Sequence, residues 1–94
     1  MNFENRLIPN CLYKFRKLLG LEQSEVAFLL GLKSHTPVSE WETGETMPSL
    51  GNALKLSAVY KTPLDDLFYD IRMEFLPELE ERMKELEAHR ARYG

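Results

Sequence analysis

Apolar residues recur at helical spacing along the first two-thirds of the chain, in short segments that end at glycine or before proline. The first predicted helix follows Pro9 and Asn10 and stops at Gly20. The second begins near Gln23 and stops at Gly31. The apolar positions of these two helices are Leu12, Phe15, Leu18, Leu19, Val26, Ala27, Leu29 and Leu30. We therefore expect a pair of amphipathic helices at the start of the chain.

A third, short helix is expected between Ser34, which can start it, and Gly44, which can end it. Ser34 suits an N-cap, because its hydroxyl can accept a hydrogen bond from a free N–H of the first turn. Pro37 falls within that first turn, where its missing N–H does no harm. Gly44 ends the helix, and Val38 and Trp41 share the face that is predicted to enter the core.

Two more helices follow before the composition of the chain changes. Ser49 is expected to cap the fourth helix, and Thr62 and Pro63 interrupt the chain after it. Its predicted inner face consists of Leu50, Ala53, Leu54, Ser57 and Ala58. Residues 64–68 predict a fifth, short helix with two acids in its first turn, where the helix dipole favours negative charge. No strand-like alternation appears, so the fold class is all-α.

From Pro77 onward the chain becomes rich in Glu, Arg and Lys. Its apolar residues step by three, four and three, which defines an a/d seam about two heptads long. The seam consists of Leu76, Leu79, Met83 and Leu86. Residues 71–76 are expected to be a connecting helical turn or a helix start. We therefore divide the chain into a domain at 1–70 and a C-terminal helix at 71–94.

The charges beside the seam suggest what the C-terminal helix does. Arg82 falls at a g position and Glu87 at the e position five residues on, so the two meet across strands in a parallel pair. This pattern favours dimerisation of the chain through the seam. The alternative is that the same apolar face packs back on the domain.

Composition and charge limit the classes of function. The 94 residues suit one domain plus an extra element, and the contents of 44% hydrophobic and 29% charged residues are typical of a soluble chain. The net charge of −3 gives no general attraction to nucleic acid. A local basic patch is nevertheless expected, since no acid interrupts the stretch that holds Arg6, Lys14, Arg16 and Lys17.

Several other classes of function find no support. Cys11 is the only cysteine, and the two histidines lie far apart, so neither a disulfide within the chain nor a metal or cofactor site is expected. No nucleophile–base pair suggests an enzyme. Neither a secretory signal at the start nor a run long enough to span a membrane is present, so the cytoplasm is the expected location.

Two short helices joined across a glycine-containing turn are typical of a helix-turn-helix, whose second helix enters the major groove of DNA. The chain resembles the phage-repressor-like helix-turn-helix family of the Cro/cI or XRE type over residues 7–69. The resemblance is carried by Leu12, Phe15-Arg16, Gly20 to Gly31, Ser39 to Gly44, Pro48-Ser49-Leu50, Leu54 to Ala58 and Pro63 to Phe68. It implies the five-helix, lambda-repressor-like DNA-binding domain, here with an additional C-terminal helix.

The resemblance also implies roles for individual residues. The side chains expected to face the major groove are Ser34, His35, Thr36, Ser39 and Glu40. Gln23 is expected to touch a phosphate and brace the recognition helix, and Thr43, Thr46 and Ser49 to lie near phosphates. Arg16 and Glu42 match positions that form a buried ion pair between the first and third helices.

The chain departs from the family pattern at the DNA-binding surface. Lys33 is an extra residue in the turn, and its place beside the recognition helix makes it a further candidate phosphate contact. Glu40 and Thr46 stand where Arg or Lys is common, which predicts weaker binding, since phosphate contacts provide much of the affinity. Glu40 can still accept a hydrogen bond from cytosine N4, and Thr36 and Pro37 can contact a thymine methyl.

Two functions follow from this reading. The first is a sequence-specific DNA-binding transcriptional regulator, a repressor, that acts as a homodimer on double-stranded DNA with half-sites about 10 bp apart. The second is a protein-interaction module on the same fold, such as an antitoxin or regulatory adaptor, which the acids Glu40, Glu42 and Glu45 suggest. Lys14 and Lys17 either contact the DNA backbone or stay solvated.

Overall fold

A computed structural model of the chain describes residues 7–94, which form six α-helices and no strand. The helices are α1 (Leu12–Leu18), α2 (Gln23–Leu30), α3 (Thr36–Thr43), α4 (Leu50–Tyr60), α5 (Leu64–Leu67) and α6 (Tyr69–Tyr93). The prediction of an all-α fold with five helices and an additional C-terminal helix is confirmed.

One core holds the first five helices together. Its buried side chains are Leu12, Val26, Ala27, Leu30, Val38, Trp41, Leu56, Tyr60 and Leu67. Burying apolar area of this kind is the main force that stabilises such a small domain. The start of α6 joins the same body, because Ile71 is also buried.

The side chain of Asn10 fixes the start of α1 and ties it to α3. Its Oδ1 accepts the backbone N–H of Leu12 at 3.0 Å, and its Nδ2 donates to the carbonyl of Trp41 at 2.9 Å. At α2, the backbone N–H of Glu22 donates to the carboxylate of Glu25 at 2.8 Å. These bonds satisfy groups that the helix ends would otherwise leave without partners.

The helix α3 starts later than the sequence suggested. Ser34 was predicted as its N-cap, but the N-cap residue is His35, and no side chain caps the helix. The reason is Pro37. With Ser34 as the cap, Pro37 would be the third helical residue, one of the two positions whose N–H a capping hydroxyl accepts, and proline has no N–H.

The end of α3 packs closely against the beginning of the described chain. Gly44 adopts a left-handed conformation with φ of 83°, and its carbonyl accepts the N–H of Ile8 at 2.8 Å. A Cβ at Gly44 would lie 2.3 Å from the carbonyl oxygen of Ile8. Glycine is therefore required at this position by both the backbone angle and the space.

The predicted inner face of α4 is wrong in part. Leu50 and Leu54 are more than half exposed, and the buried residues are Ala53, Leu56 and Tyr60. Both stripes have helical spacing, so the neighbouring helices decide which one is covered. The cap is as expected, because Ser49 Oγ accepts the N–H of Asn52 at 3.2 Å.

The apolar faces of α1 and α2 are also narrower than predicted. Leu18 and Leu19, expected on the inner face of α1, are exposed, and so is Leu29 on α2. Phe28 is 81% exposed. Phe28 and Leu29 line one surface groove together with Leu21, and these three residues are here called the α1–α2 patch.

The C-terminal helix begins earlier than Pro77. It runs without interruption over Tyr69–Tyr93, with Pro77 inside it. Proline lacks the N–H that would donate to the carbonyl four residues earlier, and its ring crowds that carbonyl. The helix continues through Pro77, and Ile71 in its first turn is buried in the core.

Candidate nucleic-acid interface

The outward face of α3 carries most of the residues predicted to read DNA. Val38 and Trp41 are buried and fix the rotation of the helix. The side chains on the other side are Thr36, Ser39, Glu40 and Thr43, of which Thr36 and Thr43 are exposed and the other two partly exposed. Packing of two apolar residues therefore decides which polar side chains reach outward.

The turn before α3 extends this surface. Lys33, Ser34 and His35 are exposed and lead directly into the first turn of the helix. On the other side, Thr46 lies exposed in the loop after α3, and Ser49 lies exposed at the cap of α4. The Ser49 hydroxyl is engaged in capping, so only its remaining hydrogen-bonding capacity faces outward.

A buried ion pair holds α3 in place. Arg16 Nε lies 2.6 Å from Glu42 Oε2, and Arg16 Nη2 lies 3.0 Å from Glu42 Oε1. Arg16 Nη1 also donates to the carbonyl of Leu21 at 2.8 Å. The hydrogen bond to Glu42 raises the pKa of Arg16 above its usual value, although burial opposes this. The pair ties α1, the α1–α2 turn and α3 together.

Gln23 joins the same carboxylate. Its Nε2 donates to Glu42 Oε1 at 3.0 Å, so the first residue of α2 is bonded to α3. The amide carries a second N–H, which this bond leaves available. Gln23 thus lies beside α3 and is bonded to it.

Tyr60 lies close to Arg16 and Glu42, a position that the sequence did not indicate. The side chain is 4% exposed, and its hydroxyl has no hydrogen-bond partner among the described residues. Burial raises the pKa of Tyr60 to about 12, with a further contribution from Glu42 that Arg16 opposes. No spacing in the sequence distinguishes Tyr60 from the other apolar residues of α4.

Of the four residues of the predicted basic patch, the structure places two, Lys14 and Lys17, on the surface. Arg16 is in the core, and Arg6 lies outside the described residues. The ammonium groups of Lys14 and Lys17 lie over the rings of Phe15 and Tyr13, at 5.4 and 5.8 Å from the ring centroids. Both lysines are exposed on the surface of α1.

Within the described part of the chain, the seam of α6 is uncovered from Leu79 onward, whereas Leu76 is half-buried. Leu79, Met83 and Leu86 are 55%, 55% and 41% exposed, and every residue from 77 to 94 is exposed. In the single chain, the part of the seam from Leu79 to Leu86 therefore lies away from the rest of the described residues. Arg82 instead pairs with Glu78 one turn earlier in its own helix, at 3.1 Å.

Within residues 7–94, no group of three or more His, Cys, Asp or Glu side chains is arranged to hold a metal ion. None of the helices in this part of the chain has both the length and the apolar character needed to cross a bilayer.

Comparison with known families identifies the class of protein. The helix-turn-helix family matches residues 12–67, which is more than half of the chain and spans α1 to α5. The chain belongs to this family, in its XRE-type, Cro/cI-like branch, as the resemblance predicted. It is a DNA-binding helix-turn-helix regulator. A comparison with curated proteins finds no match.

Proposed function

We propose that the protein is a sequence-specific transcriptional repressor that binds double-stranded DNA as a homodimer, with α3 as the recognition helix. The main support is the outward face of α3. There Thr36 and Ser39 present hydroxyls to the outside, while Val38 and Trp41 anchor the helix in the core. Hydroxyl groups can donate to or accept from base edges in the major groove.

The second half of the proposal concerns the dimer. The apolar seam of α6 is exposed over residues 77–94, and an unpartnered apolar stripe of this spacing is stabilised when a second copy covers it. In a parallel pair, Arg82 would exchange its contact with Glu78 for one with Glu87 of the partner subunit. Residues 71–94 would then be the dimerisation element of a DNA-binding domain at 1–70.

Dimerisation also compensates for weak electrostatics. The recognition face itself contains no Arg or Lys, and only Lys33 lies directly before it. Two tethered modules bind a two-site target far more tightly than one module does. A two-fold dimer reads a pseudo-palindrome with half-sites about 10 bp apart, and an occupied operator blocks polymerase sterically. Since its target is DNA, we place the protein in the cytoplasm.

A second function, docking of a partner protein, has one specific observation in its favour. The α1–α2 patch exposes two large apolar side chains side by side, Phe28 and Leu29. Contiguous apolar surface of this kind is characteristic of protein-interaction sites. An antitoxin or regulatory adaptor would use this surface, whereas a DNA-reading regulator uses α3.

Selection of bound sequences from a random duplex pool, followed by fluorescence anisotropy across a salt series, tests the main proposal. A recovered palindrome whose affinity falls steeply with salt supports a dimeric DNA reader. Failure to enrich any sequence, even at low salt, overturns it. Phe28→Ser serves as a control, because this change disrupts the α1–α2 patch and should leave the recovered palindrome unchanged.

A further inference from the structure

Glu40 lies on the outward face of α3. It lies one helical turn after Thr36 and one turn before Thr43, so the three side chains share one face. The buried residues Val38 and Trp41 occupy the other side of the helix. The Glu40 side chain is partly exposed and therefore lies on the surface that a recognition helix presents to bases.

The carboxylate of Glu40 plays no part in holding the fold. It has no hydrogen bond and no ion pair with any residue in the described part of the chain. Glu42, two residues further on, is the opposite case, since its carboxylate accepts from both Arg16 and Gln23. The negative charge of Glu40 is therefore available to a ligand.

An unpaired carboxylate is costly in an interface with DNA unless the DNA supplies a hydrogen-bond donor. Phosphates repel it, and a buried acceptor without a donor loses its hydration without compensation. In the major groove, guanine and thymine present acceptors, which also repel a carboxylate. Adenine presents its N6 donor next to the N7 acceptor. Cytosine presents its N4 donor with no acceptor beside it on the same base, so it is the best match.

We infer that Glu40 is a specificity-determining residue that accepts a hydrogen bond from cytosine N4 in each operator half-site. This inference rests on the proposed function, because it requires α3 to lie in the major groove. The competing account is that Glu40 is a solvated charge that weakens binding to every sequence equally. The two accounts differ in base preference, whereas overall affinity does not separate them.

The test compares the sequences that full-length variants select from a random duplex pool. The variants are the native chain, Glu40→Gln, Glu40→Arg and the matched control Glu45→Gln. Glu45→Gln removes the same charge from an exposed residue beyond the end of α3. Glutamine pairs best with adenine and arginine with guanine. We expect one position of the half-site to change from cytosine to adenine in Glu40→Gln and to guanine in Glu40→Arg, each preferred by roughly tenfold. Glu45→Gln should keep cytosine there.

The possible results separate this inference from the proposed function. If the native chain selects a palindrome and both Glu40 variants select the same bases at every position, Glu40 does not read DNA, although the proposed function stands. Tighter binding of Glu40→Arg to all sequences, with unchanged preference, would also overturn the inference. If the native chain enriches no sequence at all, the proposed function fails and the inference fails with it.

Discussion

Arg16 and Glu42 form a buried, two-point ion pair between α1 and α3, with side chains only 7% and 5% exposed. The pair spans 26 residues of sequence and bonds α3 to α1. Its geometry is that of a fork-to-fork contact between guanidinium and carboxylate. Such a pair contributes little net stability, but the loss of one partner leaves a charge buried without compensation.

Glu42→Ala should therefore destabilise the protein strongly. It leaves the Arg16 guanidinium buried without its carboxylate, and the free energy of unfolding should fall by about 3–5 kcal/mol. Urea unfolding followed by circular dichroism measures this change. Asp65→Asn is the control, because the Asp65–Arg72 pair is exposed and its atoms lie 3.6 Å apart. Asp65→Asn should lower the free energy of unfolding by no more than about 1 kcal/mol. Equal effects of the two variants would show that the buried pair has no special importance.

Gly44→Ala should lower the stability of the fold more than Gly31→Ala does. Both glycines have a left-handed φ, 83° and 75° respectively, so alanine at either position costs about 1–2 kcal/mol of backbone strain. At Gly44 the added Cβ would also lie 2.3 Å from the carbonyl oxygen of Ile8, while at Gly31 no atom lies within 4 Å. Thermal unfolding should give a lower Tm for Gly44→Ala than for Gly31→Ala. A matching Tm for the two would contradict the close contact with Ile8.

Tyr60→Phe tests the buried hydroxyl. Removing an unsatisfied polar group should leave stability at neutral pH unchanged or raise it by up to about 1 kcal/mol. The pH dependence has a definite sign. The pKa of Tyr60 is raised to about 12, above the ordinary value near 10. The folded state therefore favours the neutral phenol, and the stability linked to this preference is fully present below pH 10 and is lost as pH rises to 12.

Urea unfolding at several pH values between 9 and 12 measures this effect. The native chain should lose roughly 2 kcal/mol of stability relative to Tyr60→Phe over that range. Tyr13→Phe, at an exposed residue, is the control and should follow the native chain. Parallel curves for the native chain and Tyr60→Phe would be inconsistent with a desolvated Tyr60.

Met83→Glu should separate the proposed dimer into monomers. Met83 is an a position of the seam and is half exposed in the single chain, so the substitution should leave the fold intact. It places a charge in the proposed interface, where no partner exists. Sedimentation velocity should show the 11.0 kDa monomer for this variant and a species twice that mass for the native chain. Ala88→Glu, on the opposite face of α6, should sediment like the native chain. A native chain that sediments as a monomer would exclude the seam as a dimer interface in free solution.

The sequence predicted the helices well where local signals agreed with one another. The glycines after α1, α2 and α3 mark their ends, and the Ser49 cap marks the start of α4. The prediction of the α3 cap failed because two local signals conflicted. Ser34 is a good capping residue, but Pro37 lacks the N–H that the Ser34 hydroxyl would accept. The N-cap is therefore His35, one residue later, and α3 starts at Thr36.

Burial was harder to predict than helicity. α4 has apolar residues on two adjacent stripes, and only its packing against α2 and α5 covers Leu56 and Tyr60 and leaves Leu50 and Leu54 outside. The α1–α2 patch is a similar case, since Phe28 and Leu29 are residue types that are typical of a core, yet both lie on the surface of the domain. The placement of polar residues on α3 was more predictable, because Val38 and Trp41 alone set its rotation.

The claim that α3 reads DNA is tested most directly by Thr36→Ala combined with Ser39→Ala. Both side chains lie on the outward face and make no contact that the core needs, so circular dichroism should show an unchanged fold. Fluorescence anisotropy would compare the selected palindrome with a shuffled duplex at one salt concentration. We expect the double variant to lose most of the native preference for the palindrome while keeping its weaker binding to the shuffled duplex. A double variant with the native preference would contradict the account, because some other surface would then be reading the sequence.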